Sequence, residues 1–148
     1  LLARVLFPTD FSDAAERALG RLAECCRRAG SAVHLLHVQD VRRLRPHLEE
    51  RLDEFNRVDS LRLERMAEHL RATGACHTTH EIVVDHPVRA ILAAAERWQA
   101  TLVVVGRTGR GWLAELALGS TAHEVARRSP VPVLVDADRL ADAREGPR

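Results

Sequence analysis

The sequence has no excess of charge of either sign. Its 22 basic and 21 acidic residues leave a net charge of +1 over 148 residues, so long-range attraction to nucleic acid or to an anionic membrane is not written into it. It also has no long apolar run; none approaches the roughly 20 residues of a membrane span. Cysteine is scarce and odd in number, at Cys25, Cys26 and Cys76. That excludes a disulfide framework and fits a reducing, cytoplasmic setting. Cys25 and Cys26 fall in a helical pattern, where small buried residues are common. Aromatics are 3 % of residues, tyrosine is missing and the basic residues are arginines; this reads as genomic composition and not as function. Residues 1–7 are too short for a signal peptide, lack a cleavage site and read as a first strand.

Several chemical signatures are absent as well. No Gly-Lys-Ser/Thr occurs, so there is no P-loop. No Gly-x-Ser-x-Gly and no Cys–His arrangement marks a catalytic nucleophile, and no catalytic residue is assigned. Among the eight histidines, His34 and His37, like His77 and His80, stand three apart in expected strands. That spacing sends the paired side chains to opposite faces, so no metal cluster is expected. There is no internal repeat and no low-complexity linker. The length fits one domain, expected over 1–137, with a polar, mobile tail over 138–148.

What is present is an alternation of apolar runs and amphipathic segments. Arg4 to Phe7 reads as a strand ending at Pro8-Thr9-Asp10. Ser12 is placed to cap a helix running to about Ala29, with Gly30 as its stop. Ala32 to Val38 is apolar enough to be a strand covered on both faces. A long charged helical stretch follows from about Leu44 to Thr73, with Asp59 interrupting its apolar stripe, so that one helix or two divided there both fit the pattern. Thr78 to Val84 is a third strand, Val88 to Gln99 a helix and Ala100 to Val105 a fourth strand. Thr121 and Glu124 suit a capping box for the next helix. Val131 to Val135 is a last strand, and Pro132 within it argues for an edge position. Such alternation predicts an α/β fold with a five-stranded parallel sheet, right-handed crossovers and helices on both faces. Ligands in such sheets sit beyond the strand carboxyl ends, where the strand order switches.

The stretch from Gly106 to Thr121 stands out. A buried strand, a glycine-rich loop and a helix start, in that order, make a place for phosphate. Gly106 and Gly109 would let the backbone approach an anion without a Cβ in the way, the bland alternative being a plain turn. Gly119, Ser120 and Thr121 would bring N–H groups and hydroxyls to the helix start, or serve as an ordinary cap. Arg110, and less so Arg107, would neutralise phosphate charge or be solvated loop arginines. Pro8 and Thr9 form a second wall. Asp10, beside them, would meet ribose hydroxyls or a divalent ion, or cap the first helix. Gly109 to Ala114 also fits a relaxed dinucleotide fingerprint, with Asp136 as its ribose partner. Its place after the fourth strand and the interruption at Gly119-Ser120 argue against that reading.

Four motifs, in order along nearly the whole chain, resemble the universal stress protein family: Gly106, Gly109 and Gly119-Ser120 with the family's spacing, Pro8 to Ser12, Leu36-His37-Val38, and Pro132 to Val135. The resemblance implies a flavodoxin-like, Rossmann-like strand order 3-2-1-4-5. It implies ATP, or AMP or ADP, with Mg²⁺ on the phosphates, and an adenine contact through the Val38 backbone. It implies a homodimer paired through the last strand (Val131–Val135), acting as a nucleotide-binding stress-response regulator, with an unidentified protein partner. A weak ATPase or autophosphorylating enzyme, and an interaction module holding no nucleotide, remain alternatives. Two positions depart from the family pattern: Thr101 stands where members usually have Asp, and Asp85 where they often have Gly.

Overall fold

The computed structural model describes residues 1–44, 48–74, 77–107 and 118–136. Five strands, β1 (Arg4–Pro8), β2 (Ala32–Asp40), β3 (His77–Asp85), β4 (Leu102–Gly106) and β5 (Val133–Asp136), form one parallel sheet in the order β3-β2-β1-β4-β5. The helices are α1 (Asp13–Ala29), α2 (Val41–Leu44), α3 (Leu48–Ala72), α4 (Pro87–Arg97) and α5 (Ser120–Arg128). This is the expected α/β architecture and strand order. The tail expected from residue 138 lies outside the described residues.

The apolar runs become central strands because alternate side chains feed two cores. Val5, Phe7, Val33 and Leu35 pack with Leu19 and Leu22 of α1 and with Leu63, Met66 and Leu70 of α3. Leu6, Leu36, Val103 and Val105 point the other way, onto Val88 and Ile91 of α4 and Val125 of α5. Each fully buried Leu or Phe in these layers contributes about 1.5–3 kcal/mol of transfer free energy.

Helix boundaries follow local chemistry. Ser12 Oγ accepts the Ala15 N–H at 3.2 Å, and α1 ends on Gly30 at φ 67°. Cys26 on this helix is buried, whereas its neighbour Cys25 is exposed. α3 runs unbroken through Asp59, so the expected division there does not occur. Pro46 falls outside the described residues. α5 begins one residue before Thr121, with Gly119 as its N-cap. The capping box does not form, because Thr121 stands inside the first turn and not at the N-cap; Glu124 pairs with Arg127 within the same helix. β5 lies at the sheet edge and starts just after Pro132, whose carbonyl accepts the Val103 N–H at 3.0 Å.

The two departures from the family pattern have local explanations. Thr101 Oγ1 accepts the Arg4 N–H at 3.0 Å, and its own hydroxyl lies 2.6 Å from the Leu1 carbonyl, so it ties the start of β4 to the start of β1. Asp85 Oδ1 accepts the His86 N–H at 2.6 Å and pairs with Arg89, which fixes the turn into α4. Pro87 then occupies the first helical position, where its missing N–H costs nothing.

Candidate functional site

β1 and β4 are neighbours, yet β1 leads into α1 on one face of the sheet and β4 toward α5 on the other. The two connections diverge and leave a crevice at the strand carboxyl ends. A cleft of about 880 Å³ opens there. Pro8, Thr9, Asp10, Val38, Gly106, Arg107, Gly119, Ser120 and Thr121 all line it. Nine of the residues singled out from the sequence thus share one cavity. The other two, Gly109 and Arg110, lie outside the described residues.

One wall is the turn from β1 into α1. The Thr9 N–H donates to the Leu36 carbonyl at 2.8 Å, which fastens the turn to β2. Thr9 Oγ1 accepts the Phe11 N–H at 3.1 Å, and Asp10 Oδ1 accepts the Ser12 N–H at 3.0 Å. Phe11 between them takes a left-handed backbone, φ 62°.

The opposite wall is the root of the glycine-rich segment. The Arg107 N–H donates to the Asp136 carbonyl at 3.0 Å, and the Gly119 N–H donates to the Arg107 carbonyl at 2.7 Å. Gly119 therefore closes the neck of the segment and does not offer its N–H to a ligand. The first bond within α5 runs from the His123 N–H to the Gly119 carbonyl. The N–H groups of Ser120, Thr121 and Ala122 thus have no acceptor within the helix and lie at its positive end. The Asp136 carboxylate, the ribose partner under the dinucleotide reading, pairs with Arg21 of α1.

At the β2 end, Asp40 is clasped by Arg42, whose guanidinium and backbone N–H hold its carboxyl below the usual carboxylate range. On the α3 side lies a polar cluster that the sequence reading missed. The His37 ring sits 4.3 Å from the Phe11 ring. Its Nδ1 is 2.9 Å from the Thr9 carbonyl and its Nε2 is 3.2 Å from Asp59 Oδ2. Gln39 donates its amide to the same oxygen at 3.0 Å. Asp59, read as a break in an apolar stripe, lines the cleft from α3 together with Phe55 and Arg62. A carboxylate on an otherwise apolar face was the signal that could have found it.

A parallel sheet in the order β3-β2-β1-β4-β5 with a cleft at its switch point, walled by a turn and a helix head, defines a doubly wound α/β protein. The Universal stress protein family model matches residues 2–136. A universal stress protein of Methanocaldococcus jannaschii is 29 % identical over 151 residues, covering 89 % of this chain and 93 % of the relative. Its solved structure aligns at TM-score 0.82 and 30 % identity, over 90 % of this chain and 94 % of that one. UspA from Lactobacillus plantarum aligns at 0.81 with 27 % identity, covering 92 % and 98 % of the two chains. A universal stress protein in complex with cAMP aligns at 0.70 with 27 % identity, covering 91 % and 96 %. The chain belongs to the universal stress protein family. No helix among the described residues is long and apolar enough to cross a membrane.

Proposed function

We propose that the cleft binds an adenine nucleotide, ATP or its mono- or diphosphate, and that the chain is a stress-response regulator that works by binding and not by turnover. The observation that carries this reading is the convergence of nine loop and strand-end residues on one cleft headed by the first turn of α5, whose N–H groups have no acceptor within the helix. The structural relative that holds cAMP supports an adenine ligand. In this reading phosphates meet the Ser120–Ala122 N–H groups and the glycine-rich loop, with Arg107 and Arg110 supplying charge. Adenine lies along the Val38 backbone and Asp10 meets the ribose.

Among the described residues no group of three or more His, Cys, Asp or Glu side chains could hold a metal ion. Mg²⁺ would therefore arrive on the phosphates and not in a protein cage. Among the described residues the carboxylates lining the cleft each have a protein partner: Asp10 accepts the Ser12 N–H, Asp40 pairs with Arg42, and Asp59 accepts the Gln39 amide. β5 is the terminal strand, with Leu134 half exposed, which supports pairing of two chains along it.

Calorimetric titration with ATP, ADP, AMP and cAMP tests the proposal. Binding should appear for at least one adenine nucleotide and vanish in Gly119→Leu, whose circular dichroism should match the parent. No heat from any of the four at millimolar ligand overturns it.

A further inference from the structure

We propose that the recess between α2, the head of α4 and the last turn of α5 is a second binding site, for a small free oxyanion that carries more than one negative charge, as a phosphate ester or a polycarboxylate does. The site is independent of the nucleotide reading. The recess is separate from the cleft at the strand ends and shares only Arg42 with it.

The recess has a volume of about 520 Å³, a size that suits a metabolite. Three arginines line it, each from a different element: Arg42 from α2, Arg89 from α4 and Arg128 from α5. Val41 and Val88 line it as well. They give apolar surface for a carbon skeleton, which favours an organic anion over a bare ion.

Two of the arginines are held with one edge left over. Arg42 donates from Nε to Asp40 Oδ1 at 2.9 Å and from Nη2 to Asp40 Oδ2 at 2.6 Å. Arg89 grips Asp85 in the same way, through Nε at 2.8 Å and through Nη2. A guanidinium donates from more than one edge of its fork, and this grip occupies one. Nη1 of each arginine has no partner among the described residues. The grip also orients the side chains in advance, so less rotamer freedom is lost when an anion arrives. Asp40 and Asp85 are both held below the usual carboxylate range, chiefly by these hydrogen bonds, so both grips persist at neutral pH.

Arg128 supplies the charge. It makes no hydrogen bond or ion pair among the described residues. Glu124, the one carboxylate of α5, is taken by Arg127 at 2.8 Å. Asp40, Asp85 and Glu124 thus answer Arg42, Arg89 and Arg127, and the charge of Arg128 is left over. His86 lines the recess too and makes no side-chain bond to the head of α4; its ring adds a donor. Glu124 also lines the recess. Its own charge is offset by Arg127, and it can accept a hydroxyl that stands beside the oxyanion of the ligand.

The test is a titration of the full chain with glycerol phosphate and with citrate at constant ionic strength, followed in proton–nitrogen NMR spectra, with sodium chloride as the blank. The amides of Val88, Arg89 and Arg128 should shift with at least one of the two anions and not with chloride. Whichever saturates first tells a phosphate ester from a polycarboxylate. Arg128→Gln and Arg89→Gln should each weaken binding about tenfold, the size of one charge-assisted contact, with circular dichroism spectra like the parent's. Gly119→Leu, which alters the cleft and not the recess, should bind the anion as the parent does. Absence of shifts with both anions at tens of millimolar overturns the inference. So does undiminished affinity in the two arginine variants, or a loss in Gly119→Leu alone, which would put the anion at the head of α5. Failure of every adenine nucleotide to bind would leave these outcomes as they are.

Discussion

Phe11 is held in a conformation that its side chain does not favour, and two substitutions there separate strain from packing. At φ 62° an L residue gives up roughly 1–2 kcal/mol relative to a right-handed backbone. The ring compensates by resting 4.3 Å from the His37 ring and against the core between α1 and α3. A fully buried Phe truncated to Ala costs about 3–5 kcal/mol. Phe11 is half-buried, so Phe11→Ala should cost about 2 kcal/mol and leave the strain in place. Phe11→Gly loses the same ring but also the strain. Against that, glycine adds roughly 0.5–1 kcal/mol of entropy to the unfolded chain. The net expectation is that Phe11→Gly is more stable than Phe11→Ala by about 0.5–1 kcal/mol, the reverse of the order found where the backbone is right-handed. For a domain of this size that is about 2–3 °C in Tm. Urea unfolding of both variants and the parent, followed by circular dichroism, resolves the difference. An alanine variant as stable as the glycine one, or more so, would show that the turn does not hold Phe11 left-handed in solution.

Two further outcomes follow from bonds at the strand ends. Asp40 is held below its ordinary range chiefly by the Arg42 hydrogen bonds, so this pair stabilises the fold above the unfolded carboxylate value of about 3.9 and the contribution is lost as pH falls through the lower folded value. Arg42→Ala should therefore be less stable than the parent at neutral pH, and the gap should close on acidification as the parent loses the pair, as read by urea midpoints taken at successive pH values; a gap that does not change with pH would refute the pairing. Thr101→Ala removes the acceptor of the Arg4 N–H and should cost about 1–3 kcal/mol if that group is left without a partner; an unchanged denaturation midpoint would show that water replaces the hydroxyl there.

The fold was legible because its signals are local. Apolar runs with turn residues at both ends fixed the strands, and Ser12, Gly30 and Pro132 marked boundaries where the structure places them. The strand order was not in that pattern. Alternation predicts a parallel sheet but does not say which strand lies beside which, and the order came from the resemblance to a family. The loop and turn of the cleft were legible as motifs. His37 and Asp59 were not, because they come from different elements and neither belongs to a contiguous motif. Asp59 was visible only as a flaw in an apolar stripe, and a flaw can mean a helix break or an inward partner; packing decides which. The capping box at Thr121 fails for a similar reason. Thr121 and Glu124 have the spacing, but the helix already starts at Ser120 with Gly119 as its N-cap, which the spacing rule ignores.

The neck beneath the glycine-rich segment separates two kinds of selection. Arg107, Gly119 and Asp136 close it with two backbone bonds, and neither bond calls on the side chains that stand between Arg107 and Gly119. Lengthening a loop whose ends are already pinned is cheap, about 0.6 kcal/mol for each doubling. Substitutions and insertions in that interval can therefore drift under selection for ligand choice while the sheet beneath stays folded. A descendant could change or lose its ligand without first losing its fold.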